Sequence, residues 1–198
     1  MANTTVTCVQ SPYAYSKSTG SGTSVSFVVP KSGTWSITAT YGSITKTSTV
    51  SVTTYNGTYP VTFTFEHWIF KSGEGAKVDI SLGKHRDATA EMDTTRIYLK
   101  GCNDVYDNGF AQAVSAAVDL SQYRTMHVEA GLWQYGTGWL RATTGSNYGT
   151  ILSEFNPSSV ERKVFDIDIS SITGTYGLML WTKGYNTGGY IYNWWLSA

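Results

Sequence analysis

Apolar and hydroxyl-bearing residues take turns along most of this 198-residue chain, and a period of two admits little besides β-strands. The clearest case is residues 34–41, where Trp35, Ile37, Ala39 and Tyr41 alternate with Thr34, Ser36, Thr38 and Thr40. Such a segment offers one face to a core and one to water, as in an antiparallel sheet. Val6 and Cys8 share a face of the first strand, and Val25, Phe27 and Val29 share another before Pro30 ends their run. Ile44, Val50 and Val52 line a strand returning from the turn Tyr41-Gly42-Ser43. Tyr59, Val61, Phe63 and Phe65 follow the hairpin signal Asn56-Gly57. Strands at this spacing make a small Ig-like or transthyretin-like sandwich over residues 1–66.

Near residue 66 the texture changes. Trp68-Ile69-Phe70 is a continuous apolar run, broken by Lys71-Ser72-Gly73-Glu74-Gly75. Strands are then expected over 76–82, 95–100, 125–133, 139–143, 163–169, 176–182 and 190–196. Residues 111–117 have helix-like length, but Val114, Ala116 and Val118 alternate, which favours a strand. Eight short antiparallel strands joined by long loops predict a jelly roll over residues 67–198. The expected fold class is therefore all-β: an Ig-like sandwich followed by a jelly-roll, lectin-like sandwich.

Charge narrows the partners. Charged residues are 14% of the chain, against about a quarter in ordinary domains, and 14 basic residues cancel 14 acidic ones. A neutral surface argues against nucleic acid and anionic lipid, both of which require a basic patch. No apolar stretch approaches the ~20 residues of a membrane helix. Cys8 and Cys102 lack metal-ligand spacing and are expected reduced, in different domains. The Asn-x-Thr sequons at Asn3 and Asn56 matter only in a eukaryotic secretory setting. No cofactor and no metal are expected.

From Met1 the sequence runs straight into Thr4-Thr5-Val6-Thr7-Cys8-Val9, without the pattern of an export signal. Joined to Gly-, Thr-, Ser-, Tyr- and Trp-rich β-sequence, this suits a virion protein assembled in a host cytoplasm. A secreted chain trimmed of its signal reads the same way.

Two stretches carry a resemblance. Ser26-Phe27-Val28-Val29-Pro30-Lys31-Ser32-Gly33-Thr34-Trp35, with Gly42 and Thr49-Val50-Ser51-Val52, resembles the small Ig-like domain of tail and capsid-surface proteins in phages infecting gut Firmicutes. Phe70-Lys71-Ser72-Gly73-Glu74-Gly75-Ala76-Lys77-Val78-Asp79, Val118-Asp119-Leu120-Ser121-Gln122-Tyr123 and Ile191-Tyr192-Asn193-Trp194-Trp195-Leu196 are similar to a jelly-roll module often joined to it. The resemblance implies a capsid decoration or tail-associated protein that docks on other virion proteins or on copies of itself. It carries no binding residue across.

Candidate sites follow from side-chain chemistry. Asp166 and Asp168 lie about 7 Å apart on one strand face, a separation open to glycoside hydrolysis. Alternation opposite Phe165, Ile167 and Ile169 makes them ordinary solvated residues instead. His67, His85 and His127 share no spacing, and His127 reads as a surface residue. The loop from Asn103 to Gly109 holds oxygen donors suited to calcium or, more simply, to Asx turns.

Aromatic residues form the strongest constellation. Met126, Val128, Ala130 and Leu132 take the core side of their strand, which leaves His127, Glu129 and Trp133 on the polar side. A hairpin turn at Tyr135-Gly136-Thr137 sets Trp133 opposite Trp139, which shares its face with Arg141. Leu178 and Leu180 send Trp181 outward as well. Outward indoles with Arg141, Glu129 and His127 suit glycan stacking and hydroxyl recognition. They suit equally a covered packing surface.

The expected function is a non-enzymatic phage virion surface protein with a weak hold on host-surface glycan. The alternative is a carbohydrate-binding module of a secreted bacterial enzyme or adhesin. A small glycosidase stands third. Expected locations are the virion or otherwise the cell exterior.

Overall fold

The computed structural model describes residues 3–42, 44–54, 56–103, 109–135, 138–145, 149–157 and 160–198. The chain divides into two compact units, Met1–Phe65 and Glu66–Ala198. No helix among the described residues is long and apolar enough to cross a membrane.

The first unit is built on one antiparallel sheet of β1 (Thr5–Gln10), β2 (Tyr13–Ser18), β3 (Gly33–Tyr41) and β4 (Ile44–Val52), in the order β2-β1-β3-β4. Trp35 is its centre, fully buried with Cys8 and Ile37. Its indole Nε1 donates to the Lys31 carbonyl at 3.2 Å, and Tyr15 stacks on it at 6.1 Å. The outer face carries a hydroxyl ladder, with Thr38 bonded to Thr47 and Thr40 to Thr45 across β3 and β4. The alternation of Val25, Phe27 and Val29, and of Tyr59, Val61, Phe63 and Phe65, predicts two further strands. These segments form no ladder, and Phe27, Val29, Val61 and Phe63 pack against the buried cluster as the second layer. Burying those four side chains holds the segments in place without sheet hydrogen bonds.

The second unit is a two-sheet sandwich. Its strands are β5 (Glu66–Lys71), β6 (Gly75–Ala76), β7 (Ile80–Lys84), β8 (Thr89–Met92), β9 (Ile97–Lys100), β10 (Phe110–Ser115), β11 (Val118–Asp119), β12 (Thr125–Trp133), β13 (Trp139–Thr144), β14 (Ile151–Phe155), β15 (Lys163–Asp168), β16 (Thr175–Tyr176), β17 (Leu178–Lys183) and β18 (Gly188–Ser197). The front sheet runs β14-β13-β17-β10-β7, and the back sheet runs β15-β12-β18-β5-β6. The ten residues of β18 pair with β12 on one side and with both β9 and β5 on the other. Between the sheets, Leu140, Ala142, Leu178, Leu180, Ala111 and Ala113 of the front meet Met126, Val128, Leu132, Ile191, Trp194 and Leu196 of the back, all buried.

One connection decides where the candidate residues go. After Trp133 the chain leaves the back sheet and enters the front one at Trp139, so the link is a crossover and not a hairpin. Thr187, fully buried, pins it: its Oγ1 accepts from the Tyr135 amide at 3.1 Å. A side chain at Gly138 would collide with that same hydroxyl, so the crossing requires glycine there. Trp133 pairs with Gly188 and Trp139 with Lys183, and the expected Trp133–Trp139 cross-strand pair does not exist.

Cys8 and Cys102 remain thiols, each buried in its own unit. Most of the segment from Asn103 to Gly109, raised above as a calcium loop, lies outside the described residues.

Candidate functional site

The six candidate residues divide between two outer faces. His127, Glu129 and Trp133 lie on the back sheet, and Trp139, Arg141 and Trp181 on the front. The two faces differ in how completely their polar groups are satisfied.

On the back face the planar side chains stack across neighbouring strands. Trp68 and Trp195 lie 5.0 Å apart at 21°, and His127 stacks on Trp195 at 4.6 Å and 13°. Asp166 Oδ1 meets His127 Nδ1 at 2.7 Å, and His127 Nε2 meets Ser197 Oγ at 2.8 Å. His127, expected at the surface, is therefore held on both ring nitrogens, with only 17% of its side chain exposed. Aspartate, histidine and serine stand in the order of a hydrolytic triad. Ser197, however, sits in a strand laddered on both sides, and not at a turn or helix N-terminus that aims free N–H groups at an oxyanion. The trio reads as a cross-strand lock. Asp168, the other half of the hydrolytic pair considered above, accepts from the Ser170 amide.

Glu129 on this face is held as well. Arg162 Nε donates to Glu129 Oε1 at 2.6 Å, and Asn193 donates to the other carboxylate oxygen. The Arg162 bond holds the Glu129 carboxyl below its ordinary range. Trp133, half-buried, donates Nε1 to the Asn186 carbonyl at 2.8 Å and packs against Tyr190 and Tyr98. Its donor is spent inside the fold.

The front face is different. Register sets Glu154, Arg141, Trp181, Gln112 and Gly83 in one row across all five strands, about 19 Å at the usual strand spacing. The next row holds Trp139, Lys183 and Phe110, and His85 stacks on Phe110 at 5.6 Å. Trp139 and Trp181 meet edge to face, centroids 4.1 Å apart at 79°, with Phe110 on the other side of Trp181 at 6.4 Å. The Arg141 guanidinium lies 4.2 Å from the Trp139 ring centre and bonds Glu154 at 2.8 Å. Trp181, expected to be outward, does take the outer parity, yet it is 8% exposed because Trp139 and Phe110 close over it.

Two buried polar atoms on this face have no hydrogen-bond partner among the described residues: Trp181 Nε1, a donor, and Gln112 Oε1, an acceptor. They belong to residues directly opposite each other on β17 and β10. The Gln112 amide occupies the space that a side chain at Gly83 would fill, so the glycine lets it lie flat on the sheet. Leaving a buried donor or acceptor unmatched costs about 1–3 kcal/mol each. Phe110, Gln112 and Gly83 are the site residues that sequence reasoning missed.

No family model and no curated protein matches the chain. Among solved structures, a single-residue variant of a family 29 carbohydrate-binding module, complexed with cellulohexaose, gives a TM-score of 0.50 at 11% identity. That match covers 68% of this chain and 91% of the other. A family 29 module from Piromyces equi gives 0.43 at 9%, covering 68% and 90%. A glycoside hydrolase family 43 arabinoxylan arabinofuranohydrolase from Bacillus subtilis, in complex with cellotetraose, gives 0.37 at 8%, covering 82% and 38%. At 11% identity the first of these likenesses is one of fold alone.

Proposed function

We propose that the second unit is a non-catalytic carbohydrate-binding module, and that the outer face of the front sheet is its binding face. One observation carries this reading: Trp181 Nε1 and Gln112 Oε1 are unpartnered on residues directly opposite each other, where Trp139 and Phe110 flank Trp181. Both atoms are closed off while Trp139 and Phe110 lie over Trp181, so a sugar hydroxyl that displaces this cover gains a donor or an acceptor with no competing protein partner. The apolar C–H faces of the same sugar ring suit the indole and phenyl groups around them. The row from Glu154 to Gly83 is long enough for several sugar units. Strand-borne residues hold such a platform more rigidly than loops do.

The fold shared with the family 29 module complexed with cellulohexaose accords with this reading, which rests on the face itself and not on the likeness. The virion-surface role implied by the phage resemblance gains no support from these relatives, which are carbohydrate-binding modules and a glycoside hydrolase. Polymeric glycans of this kind lie outside the cell, and an extracellular place of action follows from the proposal.

The test is affinity electrophoresis of the full chain through gels containing plant and microbial polysaccharides. At least one polymer is expected to retard the wild type and not the Trp139→Ala variant. If every polymer leaves both proteins at the same mobility, the reading falls.

A further inference from the structure

The charges around the same face point to the kind of glycan. The five front-sheet strands contribute one carboxylate to their outer face, Glu154, and Arg141 neutralises it. Lys183 is directly opposite both Trp139 and Phe110, on the face of Trp181, and makes no ion pair or hydrogen bond among the described residues. The back face carries five carboxylates by register: Glu66, Glu91, Glu129, Asp166 and Asp168. Among the described residues, an ammonium with no ion pair thus stands between Trp139 and Phe110, while most strand-borne carboxylates of the sandwich lie on the other side.

We propose that the front face takes an anionic polysaccharide, whose carboxylate or sulfate group meets Lys183 while neighbouring sugar units lie on Trp139 and Phe110. The inference rests on the glycan-binding reading and specifies its ligand. Lysine presents a compact, strongly hydrated point charge on a long stem. It therefore suits one anionic substituent held at the rim of a stacked ring. Lys183 then takes the anionic group while the rings take the apolar sugar face, so charge and stacking recognise different parts of one repeat. Such binding weakens with salt, because the pair is partly exposed.

The experiment titrates the full chain with polygalacturonate, dextran sulfate, galactomannan and hydroxyethylcellulose at low and high ionic strength. It uses the wild type, Lys183→Gln, Lys183→Arg and, as a remote charge control, Lys46→Gln. The expected result is preference for an anionic polymer, with affinity reduced about tenfold or more in Lys183→Gln, the size of a charge-assisted hydrogen bond. Lys183→Arg retains most of it, Lys46→Gln changes nothing, and thermal melts coincide. Polygalacturonate and dextran sulfate separate carboxylate from sulfate recognition. Equal or tighter binding of the neutral polymers, unaffected by Lys183→Gln, overturns the inference and leaves glycan binding standing. An equal loss in Lys46→Gln overturns it as mere bulk charge. If no polymer of either kind binds, this inference and the binding reading both fail.

Discussion

Trp139 stands edge to face with Trp181, ring centres 4.1 Å apart, and the two indoles enter the front sheet from adjacent strands. The pair divides its work. Trp139 is half-buried and reaches solvent, whereas Trp181 is 8% exposed and packed beneath its neighbours.

Replacing Trp139 by Ala should therefore weaken glycan binding about 10- to 100-fold, the range expected when a stacking ring worth 1–3 kcal/mol is removed. Its melting temperature should fall only slightly. Trp181→Ala should lose binding and also cost about 3 kcal/mol of stability, as a large-to-small change in a packed site. Calorimetric titration beside thermal melts checks both. Equal stability losses in the two variants would contradict the division.

Gln112→Leu should separate binding from folding in the opposite direction. It removes a buried acceptor that has no partner, so stability should hold or rise by about 1 kcal/mol. Affinity should drop at the same time. Groups left unsatisfied by the fold at a binding site commonly carry this trade-off. Urea unfolding with titration decides, and a variant that is both less stable and fully binding would sink the assignment.

Glu129 gives the second unit an acid-sensitive contact. Its hydrogen bond from Arg162 keeps the folded carboxyl below the ordinary value of 4.5. The stabilisation is complete above that unfolded value and is lost as pH falls through the lowered folded one. Glu129→Gln should cost about 1 kcal/mol at pH 7, a modest figure because the Arg162 side chain is 48% exposed. The gap between variant and wild type should close at acid pH. Denaturant unfolding at pH 7 and pH 3 measures it, and a gap that widens on acidification would refute the sign.

In the first unit, Trp35→Ala should remove about 3–5 kcal/mol, since the ring is fully buried and also bonds the Lys31 carbonyl. Hydrogen exchange of the full chain reads this locally, as lost protection of amides in β1 and β3. Protection unchanged at Cys8 and Ile37 would show that Trp35 is not the anchor.

Alternation made the strands legible, and within most strands it made the faces legible too. Leu178 and Leu180 place Trp181 on the outer side, where the structure has it. Parity says nothing of what lies above a residue, so the cover that Trp139 and Phe110 give Trp181 was invisible. In residues 111–117 the period was visible but its sense was not. Ala111 and Ala113 fill the core, and the larger Phe110, Gln112 and Val114 face out, since close sheet packing took the small side chains. The partner of Trp133 could not be read at all. Tyr-Gly-Thr looks like a hairpin turn, while the crossing depends on Thr187, far along the chain. Unpaired atoms such as Gln112 Oε1 become visible only when every neighbour has a position.

The crossover between Trp133 and Trp139 gives the protein a built-in spectroscopic reference. Six positions apart in sequence, these indoles emit from opposite sides of one sandwich. A quencher-labelled oligosaccharide seated on the front sheet would dim Trp139 and Trp181 while Trp68, Trp133 and Trp195 kept their intensity. Fluorescence from variants that retain one side or the other thus reports which surface a ligand occupies.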